Sequence, residues 1–350
     1  MIFFSEKYEV RNIKPTAVRT AAALLAAALF LLPLAGCASS LPLENAGTDT
    51  EKNTSADISA DINEAEDLNR YEIVIPGLEK EYELLYLTDT HIILPEKSDS
   101  KKIRDYSNTR RALFSRETHI QSSDRFSAWL AYAKDRQADA LLLGGDIIDS
   151  PSSANMDFLA SSLDSLPMPY IYTLGNHDWT FPWEYMTEAG KEKYLPGFAG
   201  YMGGNTAIHT LELEEITIVA VDNSSNQINP DALEAYREIL AKNKPVILLL
   251  HVPLYTDSLF AKTSKVWKSG VTLGGGIHGG IYPDATSTEF IRLTTAKNSP
   301  VAAILAGHVH LEDQSDLPGE KTIPQITGDA GYKGKASLIH ITGTDFDSLS

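Results

Sequence analysis

The chain has 350 residues, of which 43% are hydrophobic and 22% are charged, a composition typical of a globular protein. Its net charge of -17 at pH 7 disfavours nucleic-acid polymers as partners, since proteins that bind them carry basic surfaces. The charge does not exclude a small phosphorylated substrate, because bound divalent cations reverse the local potential.

The first 36 residues have the layout of a secretion signal. An apolar run over residues 21–34 follows a basic segment that contains Lys7, Arg11, Lys14 and Arg19. The residues Leu34-Ala35-Gly36-Cys37 then resemble a bacterial lipobox, where the cysteine is lipidated and the chain is cleaved just before it. Cys37 is the only cysteine, which excludes an internal disulfide and a cysteine ligand in the mature domain. An uncleaved membrane anchor is the alternative, although the apolar run is short for a span.

Residues 37–70 are predicted to be a disordered acidic tether. This segment is rich in Ser, Asp, Glu, Asn and Thr, so it cannot bury enough apolar surface to order itself. The sequence therefore predicts three parts: a lipoprotein signal peptide over residues 1–36, the tether over 37–70, and a folded domain over 71–345. We expect an extracytoplasmic protein that is anchored to a bacterial membrane by a lipid on Cys37.

From residue 71 onward, predicted strands alternate with predicted helices. Strands are predicted over residues 71–75, 82–88, 138–143, 170–174, 216–221, 246–250 and 301–307, with closing strands between 321 and 342. Helices are predicted over residues 126–136, 158–166 and 230–242. This alternation favours an α/β layered fold in which ligands gather at the carboxyl ends of the strands.

Three long segments interrupt this alternation. Residues 92–123 are polar, contain several arginines and show no clear period, so they are predicted to form a loop that could contact substrate. Residues 179–205 contain aromatic side chains that we expect mainly to pack an insertion, namely Trp183, Tyr185, Tyr194, Phe198 and Tyr201. Residues 252–280 end in a glycine-rich stretch that permits a close approach to the site. These sequences do not define the substrate.

Five of the apolar runs end in polar side chains. The first is followed by Asp89 and His91, and the others by Asp146, Asn176-His177-Asp178, His251, and His308 with His310. One such group also suits an ordinary turn. Five strand-like runs that all end in oxygen or nitrogen ligands predict one shared metal site. The remaining histidines are predicted to be structural, namely His119, His209, His278 and His340. Of these, His278 could also reach the substrate.

In chain order, these groups complete five motifs that resemble those of the calcineurin-like metallophosphoesterases. The motifs are Asp89-Thr90-His91, Gly145-Asp146-Ile147-Ile148-Asp149, Gly175-Asn176-His177-Asp178, His251 and Gly307-His308-Val309-His310. Five motifs in order are far more specific than one. The resemblance implies a four-layer α/β/β/α sandwich, two divalent metal ions and hydrolysis of phosphoesters.

The resemblance also implies which residues hold the metals. The ligands of one metal would be Asp89, His91 and His310, those of the other would be Asn176, His251 and His308, and Asp146 would bridge the two. Carboxylate, imidazole and amide ligands suit Mn, Fe, Zn or Co, and the sequence does not choose among them.

The remaining residues of the motifs would act on the reaction. A metal-bridging hydroxide would attack phosphorus while His177 assists the leaving group, and Asp178 would orient the His177 ring. Asp149 would accept a hydrogen bond from a ligand histidine. Purple acid phosphatases resemble this layout but have a tyrosine at the position of Asp149 and lack the histidine at position 91. We therefore expect no ferric-tyrosinate colour.

The leading hypothesis is a surface-tethered phosphoester hydrolase whose partners are a small phosphorylated substrate and a membrane. The alternative is a catalytically weak lipoprotein that binds phosphoesters in a metal-dependent manner. His177 and Asp178 favour catalysis, because a binding protein has little need for a general acid. A nuclease is a weaker third hypothesis, since the domain is acidic and lacks a basic stripe.

Overall fold

The computed structural model describes residues 8–13, 62–116, 119–180, 186–276 and 279–343. Several predictions fall outside these residues, including the lipidated Cys37, the aromatic residues Trp183 and Tyr185, the loop residue His278, and most of the predicted signal peptide and tether. Among the residues described, no helix is both long enough and apolar enough to cross a membrane.

The described residues form strands, α-helices and short 3-10 helices. The strands are β1 (Glu9–Asn12), β2 (Leu68–Val74), β3 (Tyr82–Leu87), β4 (Ala140–Leu143), β5 (Tyr170–Tyr172), β6 (Ile208–Glu212), β7 (Thr217–Val221), β8 (Val246–Leu249), β9 (Val301–Ala306), β10 (Asp313–Leu317), β11 (Ile323–Thr327) and β12 (Ala336–Thr342). The helices are α1 (Glu64–Asp67), α2 (Lys101–Phe114), α3 (Ser122–Asp135), α4 (Ser153–Asp164), α5 (Glu188–Phe198), α6 (Pro230–Ala241), α7 (Asp257–Trp267) and α8 (Ala285–Thr294). Residues Ala199–Met202 and Gly331–Lys333 form 3-10 helices.

The strands assemble into two mixed sheets. Their orders are β1-β2-β12-β3-β4-β5 and β10-β11-β9-β8-β7-β6. Strands β3, β4 and β5 are parallel, as are β7, β8, β9 and β11. Strand β12 inserts between β2 and β3, so the two strands that flank the Pro76-Gly77 turn do not pair with each other.

The sheets pack face to face between two layers of helices. Side chains between the two sheets include Leu84, Leu142, Ile218, Ile247 and Ile339. The other face of the first sheet packs against Phe126 and Trp129 of α3 and Leu159 of α4. The other face of the second sheet packs against Tyr236 of α6 and Phe290 of α8. The predicted α/β/β/α sandwich is confirmed, and its central strands are apolar throughout because both of their faces are buried.

The predicted helices are present with shifted ends. The helix predicted to begin at residue 158 is α4, which begins five residues earlier because the Ser152 hydroxyl accepts a hydrogen bond from the Asn155 N–H. The helix predicted from Pro230 does begin there, and the Asn229 side chain caps it by accepting from the Asp231 N–H.

The prediction of a loop throughout residues 92–123 is wrong, because this segment contains α2. Only Phe114 of α2 is buried, so the helix lacks the apolar periodicity that would have revealed it. Local polar contacts support it. The Ser100 hydroxyl caps the first turn, and Lys101 forms an ion pair with Asp105 one turn along. The other two insertions also contain helices, α5 and α7.

Ordered structure also precedes the predicted boundary of the domain at residue 71. Strand β2 begins at Leu68, which is 3% exposed and pairs with Ala336 of β12. Helix α1 lies just before it, inside the predicted tether. Strand β1 falls in the predicted signal peptide and pairs with β2 in antiparallel register, with Val10 opposite Ile73.

Candidate metal centre

The seven predicted metal ligands all follow the carboxyl ends of parallel strands. In the first sheet, Asp89 and His91 follow β3, Asp146 follows β4 and Asn176 follows β5; in the second sheet, His251 follows β8, and His308 and His310 follow β9. Parallel strands end at a common edge, so these loops meet. The loops are linked across the two sheets by the His308 N–H, which donates to Asp89 Oδ2 at 2.9 Å.

The backbone at most of these residues is left-handed. The φ angles are 53° at Asp89, 46° at His91, 51° at Asp146, 69° at His308 and 52° at His310. Non-glycine residues rarely adopt this conformation, which costs about 1–3 kcal/mol each and concentrates at functional sites. The neighbouring contacts must therefore hold each turn in place, as the 2.9 Å bond from the Asp89 N–H to the Gly145 carbonyl does.

Two glycines permit this close approach of the loops. A Cβ atom on Gly175 would overlap the backbone nitrogen and the carboxylate of Asp146. A Cβ atom on Gly307 would overlap the Thr88 hydroxyl and lie too close to the Asp89 carboxylate. Both glycines therefore occur where one strand-end loop contacts a ligand of another.

The ligand atoms form two clusters that share Asp146. One cluster consists of Asp89, His91, Asp146 and His310, and its ligand atoms all lie within 4.8 Å of one another. His310 Nε2 lies 3.2 Å from Asp89 Oδ1, and His91 Nε2 lies 3.7 Å from Asp146 Oδ2. The other cluster consists of Asp146, His251 and His308, with His251 Nε2 at 3.4 Å from Asp146 Oδ2. A shared carboxylate between two sets of imidazoles is the arrangement that a bridged pair of metal ions requires.

The residues present fit two divalent cations. His251 Nδ1 contacts the Gly144 carbonyl at 2.8 Å, which leaves Nε2 as the free ring nitrogen. This Nε2 and Asn176 Oδ1 are buried, and neither has a hydrogen-bond partner among the described residues. Buried polar atoms are normally paired, and apart from Asp146 Oδ2, which lies 3.4 Å from His251 Nε2, both atoms still lack a partner in the described part of the chain. A cation would supply it, and the oxygen and nitrogen donors suit Mn, Fe, Zn or Co.

Burial and neighbouring charges shift the pKa values of the clustered groups. Burial lowers the pKa of His91 to about 4 and that of His308 to about 3, which favours the neutral imidazole that binds metal. Burial opposes ionisation of Asp89, but nearby His310 lowers its pKa to about 2. At His251 the effect of burial is outweighed by Asp146, which raises the pKa to about 10. A metal at His251 would compete with this proton.

Asp149 connects three side chains at the edge of the first cluster. Its Oδ1 lies 2.9 Å from Nδ1 of His91 and 2.9 Å from Nδ1 of His177. The Arg110 guanidinium binds both carboxylate oxygens, with Nη2 at 2.5 Å from Oδ1. Burial opposes ionisation, but these three partners hold the pKa of Asp149 well below its usual range. The predicted hydrogen bond between Asp149 and a ligand histidine is present.

The structure does not place Asp178 against the His177 ring, so the role predicted for Asp178 is corrected. Asp178 Oδ2 accepts from the Gly175 N–H at 2.7 Å and the Asp146 N–H at 2.9 Å, and Oδ1 accepts from the Ile148 N–H at 3.1 Å. Burial and the nearby Asp146 raise the pKa of Asp178 to about 7. Asp178 therefore joins two strand-end loops, and the side chain that orients His177 is Asp149.

A cavity of ≈ 330 Å³ opens in front of the first cluster. It is lined by His91, Arg110, Leu113, Phe114, Arg116, His177, Trp267, His310, Tyr332 and Lys333. Two arginines of the 92–123 segment line the cavity, in agreement with the prediction that this segment could contact substrate. The sequence did not predict that aromatic residues line this cavity. No local pattern relates the last residues of α2 and α7 to a site formed by distant strands.

Comparison with known proteins identifies the class. The sequence profile of the calcineurin-like phosphoesterases matches residues 82–312, which is more than half of the chain and spans all five motifs. The chain belongs to the calcineurin-like phosphoesterase family. No curated protein matches its sequence significantly.

Several solved structures resemble the chain at low sequence identity. A dimetal phosphatase from Danio rerio is 13% identical, with 72% of this chain and 88% of that chain covered and a TM-score of 0.42. A purple acid phosphatase from yellow lupin seeds is 12% identical, with coverage of 79% and 46% and a TM-score of 0.45. A phosphopantetheinyl hydrolase from Mycobacterium tuberculosis is 11% identical, with coverage of 73% and 92% and a TM-score of 0.37.

Proposed function

We propose that this protein is a surface-tethered hydrolase of phosphoesters that uses two divalent metal ions. The observation that carries the proposal is the pair of clusters that share Asp146. The buried atoms Asn176 Oδ1 and His251 Nε2, which lack hydrogen-bond partners among the described residues, support it. Membership of the calcineurin-like phosphoesterases supports phosphoester chemistry at these clusters.

Each residue of the centre has a defined part in this proposal. Asp89, His91 and His310 would hold one ion, Asn176, His251 and His308 would hold the other, and Asp146 would contact both. When bound, the ions supply Lewis acidity that activates water and neutralises phosphoryl charge. His177 lines the cavity, and its Nδ1 is held by Asp149. Its Nε2 is then the atom that would protonate the leaving oxygen.

The test compares an aryl phosphate monoester with the matching diester. The full-length chain, purified in detergent and loaded with Mn²⁺, is assayed beside His177→Ala at equal metal content. We expect turnover of at least one ester and a loss of about 10²–10⁴-fold in rate for the variant, the range that a general acid contributes. The preferred ester distinguishes a phosphatase from a phosphodiesterase.

Two outcomes would contradict parts of this proposal. Full activity in His177→Ala would remove the role of this imidazole. No turnover of either ester, with both metals bound, would contradict the hydrolase. Equilibrium binding of the ester without release of product would then support the alternative, a catalytically weak phosphoester-binding lipoprotein.

We further propose that the protein is exported and anchored by a lipid on Cys37, from the lipobox-like residues 34–37 and the apolar run before them. An inhibitor of signal peptidase II should retain the precursor in cells, and Cys37→Ser should give the same larger mass without the inhibitor. An unchanged mass in the treated cells would contradict lipoprotein processing.

A further inference from the structure

We propose that the cavity selects phosphoesters whose non-phosphoryl part is a flat aromatic ring, with Trp267 and Tyr332 as the residues that recognise the ring. This inference rests on the proposed function, because it assigns a substrate class to the same site. The two residues come from distant parts of the chain, the end of α7 and the 3-10 helix Gly331–Lys333.

The cavity is bounded by an arc of five rings. Trp267 lies 5.3 Å from His310, and His310 lies 5.3 Å from Tyr332, measured between ring centroids. Tyr332 lies 4.8 Å from Phe114, which stacks on His91 at 4.7 Å. Aromatic rings prefer such neighbours at 4.5–7 Å, and the arc can accept a further ring within the cavity.

The rings differ in how much surface they offer. Phe114 is 6% exposed and serves as backing for His91, whereas Trp267 and Tyr332 are half-buried and line the cavity. Leu113, which is 41% exposed, lines the same cavity and adds apolar surface beside the rings. Among the five rings, Trp267 and Tyr332 are therefore the ones best placed to contact a ligand in the cavity.

Trp267 and Tyr332 are already held in place. The Trp267 indole N–H donates to the Val309 carbonyl at 2.8 Å, and the Tyr332 hydroxyl lies 3.4 Å from His310 Nδ1. A side chain that is fixed before binding loses little conformational entropy when the ligand arrives. The bond to Val309 also ties Trp267 to the loop that carries His308 and His310.

The charge and size of the cavity complete the argument. Arg110, Arg116 and Lys333 line it, but Arg110 is paired with Asp149 and Lys333 with Asp329, so the proposed metal ions together with Arg116 would supply the positive charge that attracts an anion. Its volume of ≈ 330 Å³ is at the small end of ligand sites, which run from roughly 300 to 1,000 Å³. This space suits a phosphoryl group with one ring system. An alkyl or lipid phosphate would satisfy the cations but would gain no ring contacts.

The test uses a matched pair of phosphonates that differ only in aromaticity, benzylphosphonate and cyclohexylmethylphosphonate. Neither can be hydrolysed, so calorimetric binding to the full-length, Mn²⁺-loaded chain is independent of turnover. We expect benzylphosphonate to bind about three- to tenfold more tightly, which corresponds to the energy of one aromatic pair. The ratio should fall in Trp267→Leu, where only Tyr332 remains to contact the ring, and should be kept in Trp267→Phe, which retains a ring.

Three further variants guard against indirect effects. Tyr282→Leu removes a 70% exposed ring that does not line the cavity, and it should leave the ratio unchanged. Trp267→Leu loses the hydrogen bond to Val309 and could therefore lose metal. In that case Tyr332→Leu and Tyr332→Phe provide the same comparison on the other side of His310. Metal content is measured for every variant.

Equal affinities in the unaltered protein, or a preference of undiminished size in both leucine variants, would overturn the proposed ring recognition while leaving the proposed function intact. Tighter binding of the cyclohexylmethyl compound would point to an alkyl substrate and would also overturn it. Binding of neither phosphonate by metal-loaded protein, together with no hydrolysis of any ester, would overturn the proposed function itself.

Discussion

The strand-end loops and the insertion segments contribute to the same site in different ways. In the loops, main-chain bonds hold the candidate ligands, and five of the seven have a left-handed backbone, as at Asp146. In the insertions, α2 and α7 only bring side chains to the surface of the centre, such as Arg110 and Trp267. The loops therefore carry the candidate metal ligands, whereas the insertions contribute side chains to the cavity beside them.

The two regions meet at one carboxylate. Asp149 follows β4 and therefore belongs to a strand-end loop, but the Arg110 that it binds comes from the first insertion. Its other partners are His91 and His177, one a candidate ligand and the other the candidate general acid. A change at this residue should therefore affect both regions.

The largest expected effect is that of Asp146→Asn, which tests whether the loops alone hold the metals. The variant removes the carboxylate shared by the two clusters. We expect it to lose both metals and to lose about a thousandfold or more in rate, as when a principal electrostatic group of a catalytic centre is removed. Metal analysis after gel filtration measures the first effect, and hydrolysis of an aryl phosphate measures the second. Full metal content in the variant would contradict the assignment of Asp146 as the ligand shared by both metals.

A smaller effect is expected from Asp149→Asn, with Asp178→Asn as the matched control. The first variant weakens the contacts to His91, His177 and Arg110, and it should lower activity about 10–100-fold, as loss of a supporting hydrogen bond typically does. Asp178 accepts hydrogen bonds from three main-chain N–H groups of two loops, so its variant should affect stability more than rate. If Asp178→Asn instead lowered activity more than Asp149→Asn, Asp178 would be the residue that orients His177.

The smallest expected effect is a change of stability with pH in metal-free protein. Burial and Asp146 raise the pKa of folded Asp178 to about 7, from 3.8. The folded state therefore binds the proton more tightly, and stability from this group is lost as pH rises from about 4 through 7. Asp178→Asn has no such proton, so its deficit in unfolding free energy should shrink between pH 5 and pH 8.

Urea unfolding of both proteins in a chelator, at pH 5 and at pH 8, measures this deficit. A deficit that stays constant or grows with pH would mean that Asp178 is already ionised in the folded chain. Such a result would show that the strand-end loops tolerate two adjacent buried carboxylates without a shared proton.

The amino-acid sequence alone was sufficient to predict the layered α/β class and the set of candidate ligands. Apolar runs such as 140–143 and 301–306 mark buried parallel strands, and the polar residues directly after them are local features that can be read in order. Five short motifs, each confined to a few residues, were enough to indicate one centre.

The carboxylate that orients His177 and the residues that line the cavity became evident only from the three-dimensional structure. Asp178 is adjacent to His177 in sequence, but its oxygens are taken by the main chain of two loops, whereas Asp149, 28 positions earlier, reaches the imidazole from β4. Helix α2 was missed because its hydrophobic surface is limited to Phe114. Contacts between residues far apart in the chain leave no local period, so the insertions became interpretable only when folded against the strand ends.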